Sequence, residues 1–229
     1  MLAAAAVLIF GAVLPAQAAV ITFGSGPDSI LVGHADAFTE AGYVFAGYSN
    51  DLLAAPGDLV GLIGMSADCE ANLSCPASTT PYYVAANDSY LDLQRLGSNT
   101  SFRLSSFDAS FVGDPSAPAV PGFVRFQGVT AANISTTVTF ALGGATNGVY
   151  SFSHFIAPTS FSSIDFVELL AFGFACNNVN TSCTAFNTDR AQFALDNIVL
   201  VDIPEPSDLF LVAIGLLGMT LVVRNRRSI

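Results

Sequence analysis

The side chains that could do acid–base chemistry in this chain are few and scattered. Asp165 and Glu168 lie three positions apart in SIDFVELL, and His154 lies in the alternating run VYSFSHF. Paired carboxylates hydrolyse a bond only when they face each other across a cleft, and a histidine in such a run is ordinarily a half-buried, hydrogen-bonded strand residue. The chain has no Gly-x-Ser-x-Gly, His-Glu-x-x-His or phosphate-loop motif. We therefore predict that the protein is not an enzyme, and a secreted hydrolase is the third of three functional classes.

Four cysteines form two closely spaced pairs, Cys69 with Cys75 in DCEANLSC and Cys176 with Cys183 in CNNVNTSC. Four cysteines allow three disulfide connectivities, and we favour the one with two local loops because each pair lies in a short polar segment. A zinc site is the alternative, but zinc usually requires closer cysteine spacing with histidine, or four converging thiolates. Disulfides predict an oxidising compartment and therefore export.

The charge of the chain argues against two classes of partner. It has 18 acidic residues against 7 basic ones, all arginine, and a net charge of −11 at pH 7. Nucleic-acid binding needs Lys and Arg to displace counterions from phosphates, and docking on anionic lipid needs a basic patch. The acidic surplus is typical of a solvated surface, or of a protein that recruits cations such as calcium.

The N-terminal segment 1–18 has the pattern of a signal peptide. An apolar run at 2–14 is followed by Ala16-Gln17-Ala18, the small-x-small pattern that signal peptidase cleaves, so the mature chain is expected to begin at Ala19. No Lys or Arg precedes the apolar run, which leaves open whether the natural start lies upstream of Met1. The alternative, a buried helix, would have no polar face to present to water.

The middle of the chain, 19–202, alternates apolar and polar residues in the manner of β-strands. The predicted strands are 90–96, 101–107, 122–129, 135–142, 149–155, 163–174 and 193–202. The offset of Phe107 from the face of Phe102 and Leu104 predicts a bulge.

Segment 163–174 also fits a short helix with Ser162 and Asp165 as a capping box, but its Phe, Val and Ile favour a strand. Segment 24–86 is weaker, and we expect one or two strands in it. Turn residues at roughly ten-residue intervals predict an all-β sandwich.

The last 27 residues, 203–229, combine a Pro-Glu-Pro triplet, an apolar stretch and an arginine cluster. The 15 uncharged residues at 209–223 are, at about 1.5 Å each, shorter than the roughly 30 Å hydrocarbon core of a bilayer. Snorkelling arginines would help such a short helix to span and would hold the end in the cytoplasm. One interpretation of this layout is a plain C-terminal tail anchor, and the other is described next.

This layout resembles the PEP-CTERM sorting signal, which an exosortase-type membrane protease recognises and cuts. The resemblance assigns the triplet to Pro204, Glu205 and Pro206, the transmembrane helix to 209–223, and the basic cluster to Arg224, Arg226 and Arg227. It implies a Gram-negative host that makes an exopolysaccharide. It also implies a protein that is transiently anchored in the inner membrane and then reaches the cell envelope or extracellular matrix.

The segments TSFRLSSFDASFV, VRFQGV, TVTFAL and FALDNIVLVD, over about 101–202, resemble the exported domains that carry such tails. This second resemblance implies a jelly-roll-like sandwich of the lectin or carbohydrate-binding type for 19–202. It also implies that Asp196, in the Asp-Asn-Ile group of the last strand, binds a structural calcium together with an early acid such as Asp28 or Glu40. The alternative is that Asp196 bonds backbone amides at a bulge, since calcium needs many ligands.

We consider three functions, in decreasing order of preference. The first is a non-catalytic envelope or matrix protein associated with exopolysaccharide. The second is a carbohydrate-binding module, with calcium as a stabilising ion. Sugar faces stack on aromatic rings, and because the chain has no Trp, the candidate stacking residues are Tyr82, Tyr83 and Tyr90. The hydrolase is third.

Overall fold

The computed structural model describes residues 17–25, 29–69, 74–97, 100–114, 121–177, 182–186 and 190–203. These residues contain fourteen strands, one short α-helix and one 3-10 turn. The strands are β1 Ala18–Ile21, β2 Ile30–Gly33, β3 Ala37–Glu40, β4 Tyr43–Ser49, β5 Leu59–Gly64, β6 Tyr82–Ala85, β7 Ser89–Arg95, β8 Phe102–Phe111, β9 Gly122–Val129, β10 Ser135–Leu142, β11 Ser153–Ile156, β12 Glu168–Cys176, β13 Cys183–Ala185 and β14 Phe193–Asp202. The 3-10 turn is Ser66–Asp68 and the helix, α1, is Thr159–Ser162.

The strands form two antiparallel sheets that pack face to face. Sheet A has the order β11-β8-β14-β6-β5-β2, and β1 also pairs with β14. Sheet B has the order β10-β9-β12-β7-β4-β3, and β13 also pairs with β12. The architecture confirms the predicted all-β sandwich.

The core between the sheets is built largely from aromatic rings. Alternation along β9 and β12 sends every second residue inward, as a half-buried strand requires. Phe107 lies at the centre, with its ring centroid 4.5 Å from that of Phe126, 4.9 Å from Phe140 and 5.3 Å from Phe155. Full burial of a phenylalanine contributes about 1.5–3 kcal/mol, so these rings are a large part of the stability of the sandwich.

The sequence locates the later strands well. The predictions for 122–129, 135–142 and 193–202 coincide with β9, β10 and β14, and those for 90–96 and 101–107 overlap β7 and β8. Segment 163–174 contains most of β12, and the short helix forms one turn earlier, after Pro158. Of 149–155, only the last three residues belong to a strand, β11.

The expectation of one or two strands in 24–86 is wrong, because five strands, β2 to β6, lie there. Small residues at inward positions hide the alternation. A Cβ on Gly47 would lie 2.9 Å from side-chain atoms of both Val32 and Val60, and a Cβ on Gly61 would lie 2.6 Å from the carbonyl oxygen of Val84. Glycine is required where backbones and side chains approach this closely, and it carries no apolar signal in the sequence.

The predicted bulge at Phe107 is confirmed. Val199 pairs with Ser106 and the next residue, Leu200, pairs with Leu104, so Ser105 is an extra residue of β8 and Phe107 is buried on the face of Leu104. A second register shift lies between Asp196 and Val199, where two residues of β14 lie opposite Phe107. Asn197, the first of these two residues, has a φ of +49°, in the left-handed region that Asn tolerates better than most residues.

Both disulfides are local, as predicted. Cys69 is joined to Cys75 just after the 3-10 turn, and Cys176 is joined to Cys183, its partner in the β12–β13 ladder. The described residues contain no free cysteine.

The two ends of the described region lie side by side. β1 begins at Ala18, which pairs with Val201, and the Asp202 amide donates to the Gln17 carbonyl at 3.0 Å. The segments 1–16 and 204–229 lie outside the described residues, and with them Ala16, the triplet, the apolar stretch 209–223 and the terminal arginines. Among the residues that are described, no helix is long and apolar enough to cross a membrane.

Candidate functional site

A row of large side chains crosses the outer face of sheet B. Register places Tyr48 of β4 opposite Tyr90 of β7, Tyr90 opposite Phe172 of β12, and Phe172 opposite Arg125 of β9. Their sequence neighbours Leu91 and Ala171 are fully buried in the core, so alternation directs the row outward. The result is a half-buried platform that spans four strands.

The rings of this platform are packed against one another. The Tyr48 and Tyr90 rings stack at 5.5 Å, and Phe172 stacks on Phe186, which follows β13, at 5.1 Å. Phe186 also meets the Tyr90 ring edge-on at 6.3 Å, and Arg125 lies over the Phe174 ring at 4.6 Å. Such contacts hold the rings in fixed orientations.

His34 supports the Tyr48 end of the platform. Its ring meets Tyr48 edge-on at 5.6 Å, and its Nδ1 accepts a hydrogen bond of 3.0 Å from the Ser49 amide. The imidazole is therefore tied to the backbone of β4 and limits the movement of the Tyr48 ring.

Asp92 lies next to the platform, at the following outward position of β7. Its Oδ2 accepts a hydrogen bond of 3.1 Å from Gln94 Nε2, whereas its Oδ1 is buried and has no hydrogen-bond partner within the described residues. Ala46 and Leu170, which lie opposite Asp92 on the two neighbouring strands, offer no side-chain donor. Burial, with the charge of Glu168 as a second cause, raises the pKa of Asp92 to about 6.

This arrangement suits a ligand with apolar faces and hydroxyl edges. Half-buried aromatic rings offer apolar surface to a ligand, and Oδ2 of Asp92 offers a hydrogen-bond acceptor beside them. The Arg125 Nε donates to Thr139 Oγ1 at 2.8 Å, which fixes the guanidinium at the far end of the row. A pyranose ring has both features, an apolar face and hydroxyl donors.

Of the three predicted stacking tyrosines, only Tyr90 lies on this face. Tyr82 and Tyr83 are buried in β6, so the prediction for them is wrong. Tyr83 points into the main core, and Tyr82 lies on the other side of sheet A, where its hydroxyl donates to the Pro76 carbonyl at 2.9 Å. Both faces of β6 are covered, because Cys75, Val112 and Phe152 pack with Tyr82 in a second apolar cluster on the outer one.

Asp196 lies at the bulge in β14 and is buried. Its Oδ1 accepts a hydrogen bond of 2.7 Å from the Asn197 amide. Asp108, its partner in the ladder, contacts His154 Nδ1 at 2.7 Å and accepts from Asn197 Nδ2 at 2.8 Å. Burial is the main cause that raises the pKa of Asp196 to about 6. These contacts support the alternative in which Asp196 bonds a backbone amide at a bulge.

The described residues do not by themselves fit a calcium ion at Asp196. Glu40, one suggested co-ligand, accepts hydrogen bonds from the Thr22 amide, the Thr22 hydroxyl and the Phe23 amide. No group of three or more His, Cys, Asp or Glu in the described ranges is arranged to hold a metal, whereas calcium takes six to eight oxygens. Asp28, the other suggested co-ligand, lies outside the described residues. Calcium binding through Asp196 stays a prediction.

The remaining candidates for acid–base chemistry have separate surroundings. His154 is hydrogen-bonded to Asp108 as expected, but its side chain is 59% exposed rather than half-buried, because β11 is an edge strand. Asp165 forms an ion pair of 2.5 Å with Arg103. Glu168 lies instead on the outer face of sheet B.

The sequence contains a signal for the platform that sequence reasoning missed. Phe172 and Phe174 alternate in LAFGF, so they share one face of a strand, and that face is the outer one. Tyr48 and Phe186 could not be placed beside them without the register of β4 and β13.

No protein-family model matches the chain, and no curated protein matches it. Among solved structures, a DUF4465 family protein from Bacteroides caccae ATCC 43185 matches with a TM-score of 0.52 and 12% identity, over 82% of this chain and 100% of that one. A DUF4465 family protein from Bacteroides ovatus ATCC 8483 has a TM-score of 0.45 and 9% identity, over 82% and 99%. A Family 16 Carbohydrate Binding Module-2 has a TM-score of 0.25 and 19% identity, over 54% and 78%. The first likeness concerns the fold alone, and the other two are too weak to bear on function.

Proposed function

We propose that this protein is an exported, non-catalytic polysaccharide-binding protein of the cell envelope or extracellular matrix, and that it binds through the outer face of sheet B. The observation that carries the proposal is the Tyr48–Tyr90–Phe172 row of rings next to the Asp92 carboxylate on the outer face of sheet B. The sandwich is of the jelly-roll-like, carbohydrate-binding type in this proposal.

Each part of the face has a role in binding. The platform stacks on the apolar faces of successive sugar rings, with an expected gain of about 0.5–1.5 kcal/mol per ring. The Asp92 carboxylate accepts a hydrogen bond from a sugar hydroxyl at Oδ2, the oxygen that also accepts from Gln94 Nε2. Glu168 is an acidic neighbour of Asp92, so the face favours a neutral polysaccharide over one rich in uronic acids.

In this proposal the two ends of the chain direct its export and its sorting. Signal peptidase removes 1–18 after Ala18, and an exosortase-type protease acts at Pro204, Glu205 and Pro206 once the helix 209–223 and the terminal arginines have anchored the chain in the inner membrane. Support comes from the two disulfides, which fit an oxidising compartment. Ala18 and Val201, which lie close in sequence to the two proposed cleavage sites, pair with each other.

A glycan array, followed by binding to the host's own exopolysaccharide, tests the function. We expect the wild-type protein to be retained by at least one neutral polysaccharide and Asp92→Asn to be retained less, since the amide is a weaker acceptor than the carboxylate. Leu31→Ala is the control, because Leu31 is 69% exposed on β2 at the edge of sheet A. Absence of binding to every polysaccharide would leave a purely structural matrix role.

A further inference from the structure

β10, the edge strand of sheet B, has one side without a partner. It pairs along its whole length with β9, and no other strand of the described residues pairs with it. The Thr130 amide donates to the Ile134 carbonyl just beyond the strand. Because ladder bonds alternate from that pair, the amides and carbonyls of Ser135, Thr137, Thr139 and Ala141 point away from β9. The strand thus presents a template for one more antiparallel strand.

This edge lacks the features that usually protect an edge strand. Native edges are blunted by charge, proline, bulges or short length. β10 is eight residues long, contains no charged residue or proline, and keeps an unbroken register with β9. The other edge strands of the two main sheets, β2, β3 and β11, have four residues each, and β2 also has a register shift.

The hydrophobic core is incompletely covered next to β10. Val138 and Phe140 of β10 and Phe155 of β11 pack against the main core but are only partly buried. The rings of Phe140 and Phe155 lie 5.3 Å apart and join the edges of the two sheets. Ile156, which follows Phe155, is 72% exposed. An apolar seam therefore runs beside the free backbone groups of β10.

The charge distribution indicates what can cover this edge. Residues 126–153 contain no Asp, Glu, Lys or Arg, in a chain with a net charge of −11. A second copy carries the same net charge and is repelled by most of the surface, but it can approach here without like charges meeting. A strand with no charge is also complementary to itself under a two-fold axis, as an isologous interface requires.

We infer that two copies of this chain pair through β10 in antiparallel orientation, so that sheet B continues from one molecule into the other. The pairing satisfies the outward backbone groups and covers the seam of Val138, Phe140 and Phe155. A two-fold axis normal to the sheet keeps both outer faces on one side. The inference does not depend on polysaccharide binding, but it would make that binding bivalent and raise the avidity for a long polymer.

The test compares the mass of the full chain in detergent, measured by sedimentation, for the wild type and variants at Thr137. The wild type is expected to be a dimer. Thr137→Pro removes an outward amide without breaking a bond to β9, which an edge strand tolerates. It should weaken the dimer about 30-fold, since the two-fold axis removes one hydrogen bond from each copy. Thr137→Val keeps the amide and should dimerise like the wild type.

A charge exchange tests whether the partner is a second copy and does not rely on the proline variant folding. Thr137→Glu alone and Thr137→Lys alone should each dimerise more weakly than the wild type, because like charges come close together across the axis. An equimolar mixture of the two should recover the dimer. A wild type that is monomeric at high micromolar concentration would overturn the inference, and so would Glu and Lys variants that dimerise as well as the wild type.

Discussion

The hydroxyl of Tyr43 donates a hydrogen bond of 2.5 Å to Asp202 Oδ1 and thereby joins the two sheets. Asp202 ends β14 in sheet A, whereas Tyr43 begins β4 in sheet B. Arg95 of β7 completes the contact, with its guanidinium 2.9 Å from Asp202 Oδ2. The end of the last strand is therefore fixed to the opposite sheet.

Loss of the Tyr43 hydroxyl should destabilise the sandwich. Tyr43→Phe removes a hydrogen bond to a charged acceptor, so the free energy of unfolding should fall by about 2 kcal/mol in chemical denaturation. Tyr48→Phe removes a hydroxyl from the outer face of sheet B and should change it by less than about 0.5 kcal/mol. Equal effects of the two variants would show that the Tyr43–Asp202 bond does not connect the sheets energetically.

Asp196 should make the protein less stable as the pH rises from acid to neutral. Its pKa is raised from 3.8 to about 6 in the folded state, mainly by burial, so the folded protein holds this proton more tightly than the unfolded chain does. The stability that protonated Asp196 contributes is full below the unfolded pKa and is lost as the pH rises through the folded one. Asp196→Asn should remove this part of the pH dependence and be most stabilising relative to wild type above pH 6. If the difference in the free energy of unfolding between wild type and Asp196→Asn does not change with pH, the raised pKa is contradicted.

Melting in calcium and in chelator decides the role of Asp196. The hydrogen bonds at the bulge predict the same Tm in both. If Asp28 completes a calcium site with Asp196, Tm should instead rise with millimolar calcium, by an amount equivalent to about 1.4 kcal/mol per tenfold increase above saturation. Magnesium should then have less effect, and Asp196→Asn should abolish the rise. That result would confirm that Asp196 binds calcium.

The Cys176–Cys183 disulfide should contribute modestly to stability. It closes a small loop between neighbouring strands, so the double substitution Cys176→Ser with Cys183→Ser should lower the free energy of unfolding by about 2 kcal/mol. Peptide mapping without reduction should recover the Cys69–Cys75 and Cys176–Cys183 links. A peptide that joins Cys69 to Cys183 would contradict the local pairing.

Processing at both ends can be read from the intact mass of the protein purified from its native host. We expect the loss of 1–18 and of the apolar tail. Replacing the three arginines at 224, 226 and 227 by Ser should impair membrane retention and sorting, because the cytoplasmic end then loses its anchor. A mature species that still carries Met1 or Arg227 would contradict this route.

The sequence predicts the second half of the fold better than the first for a physical reason. In β9 and β10, buried positions alternate with outward ones that carry mostly polar residues, so the period of two is visible. In β4 and β5, Gly47 and Gly61 occupy positions where a side chain would collide with the core, and the period disappears. The candidate site is more difficult to predict than the fold, because Tyr48 and Phe172 are brought together only by the pairing of distant strands with β7. Tyr90 is predicted from the sequence, whereas the strand register that places the other rings beside it is not.

We propose that the outer face of sheet B binds polysaccharide by stacking on Tyr90 and its neighbours. Calorimetric titration with the polysaccharide that binds most tightly tests it directly, using wild type, Tyr90→Ala and Tyr90→Phe. We predict that Tyr90→Ala raises Kd about 10-fold, equivalent to about 1.4 kcal/mol, and that Tyr90→Phe, which keeps the ring, leaves Kd within about twofold of wild type. A Tyr90→Ala protein that binds as tightly as wild type would contradict the claim.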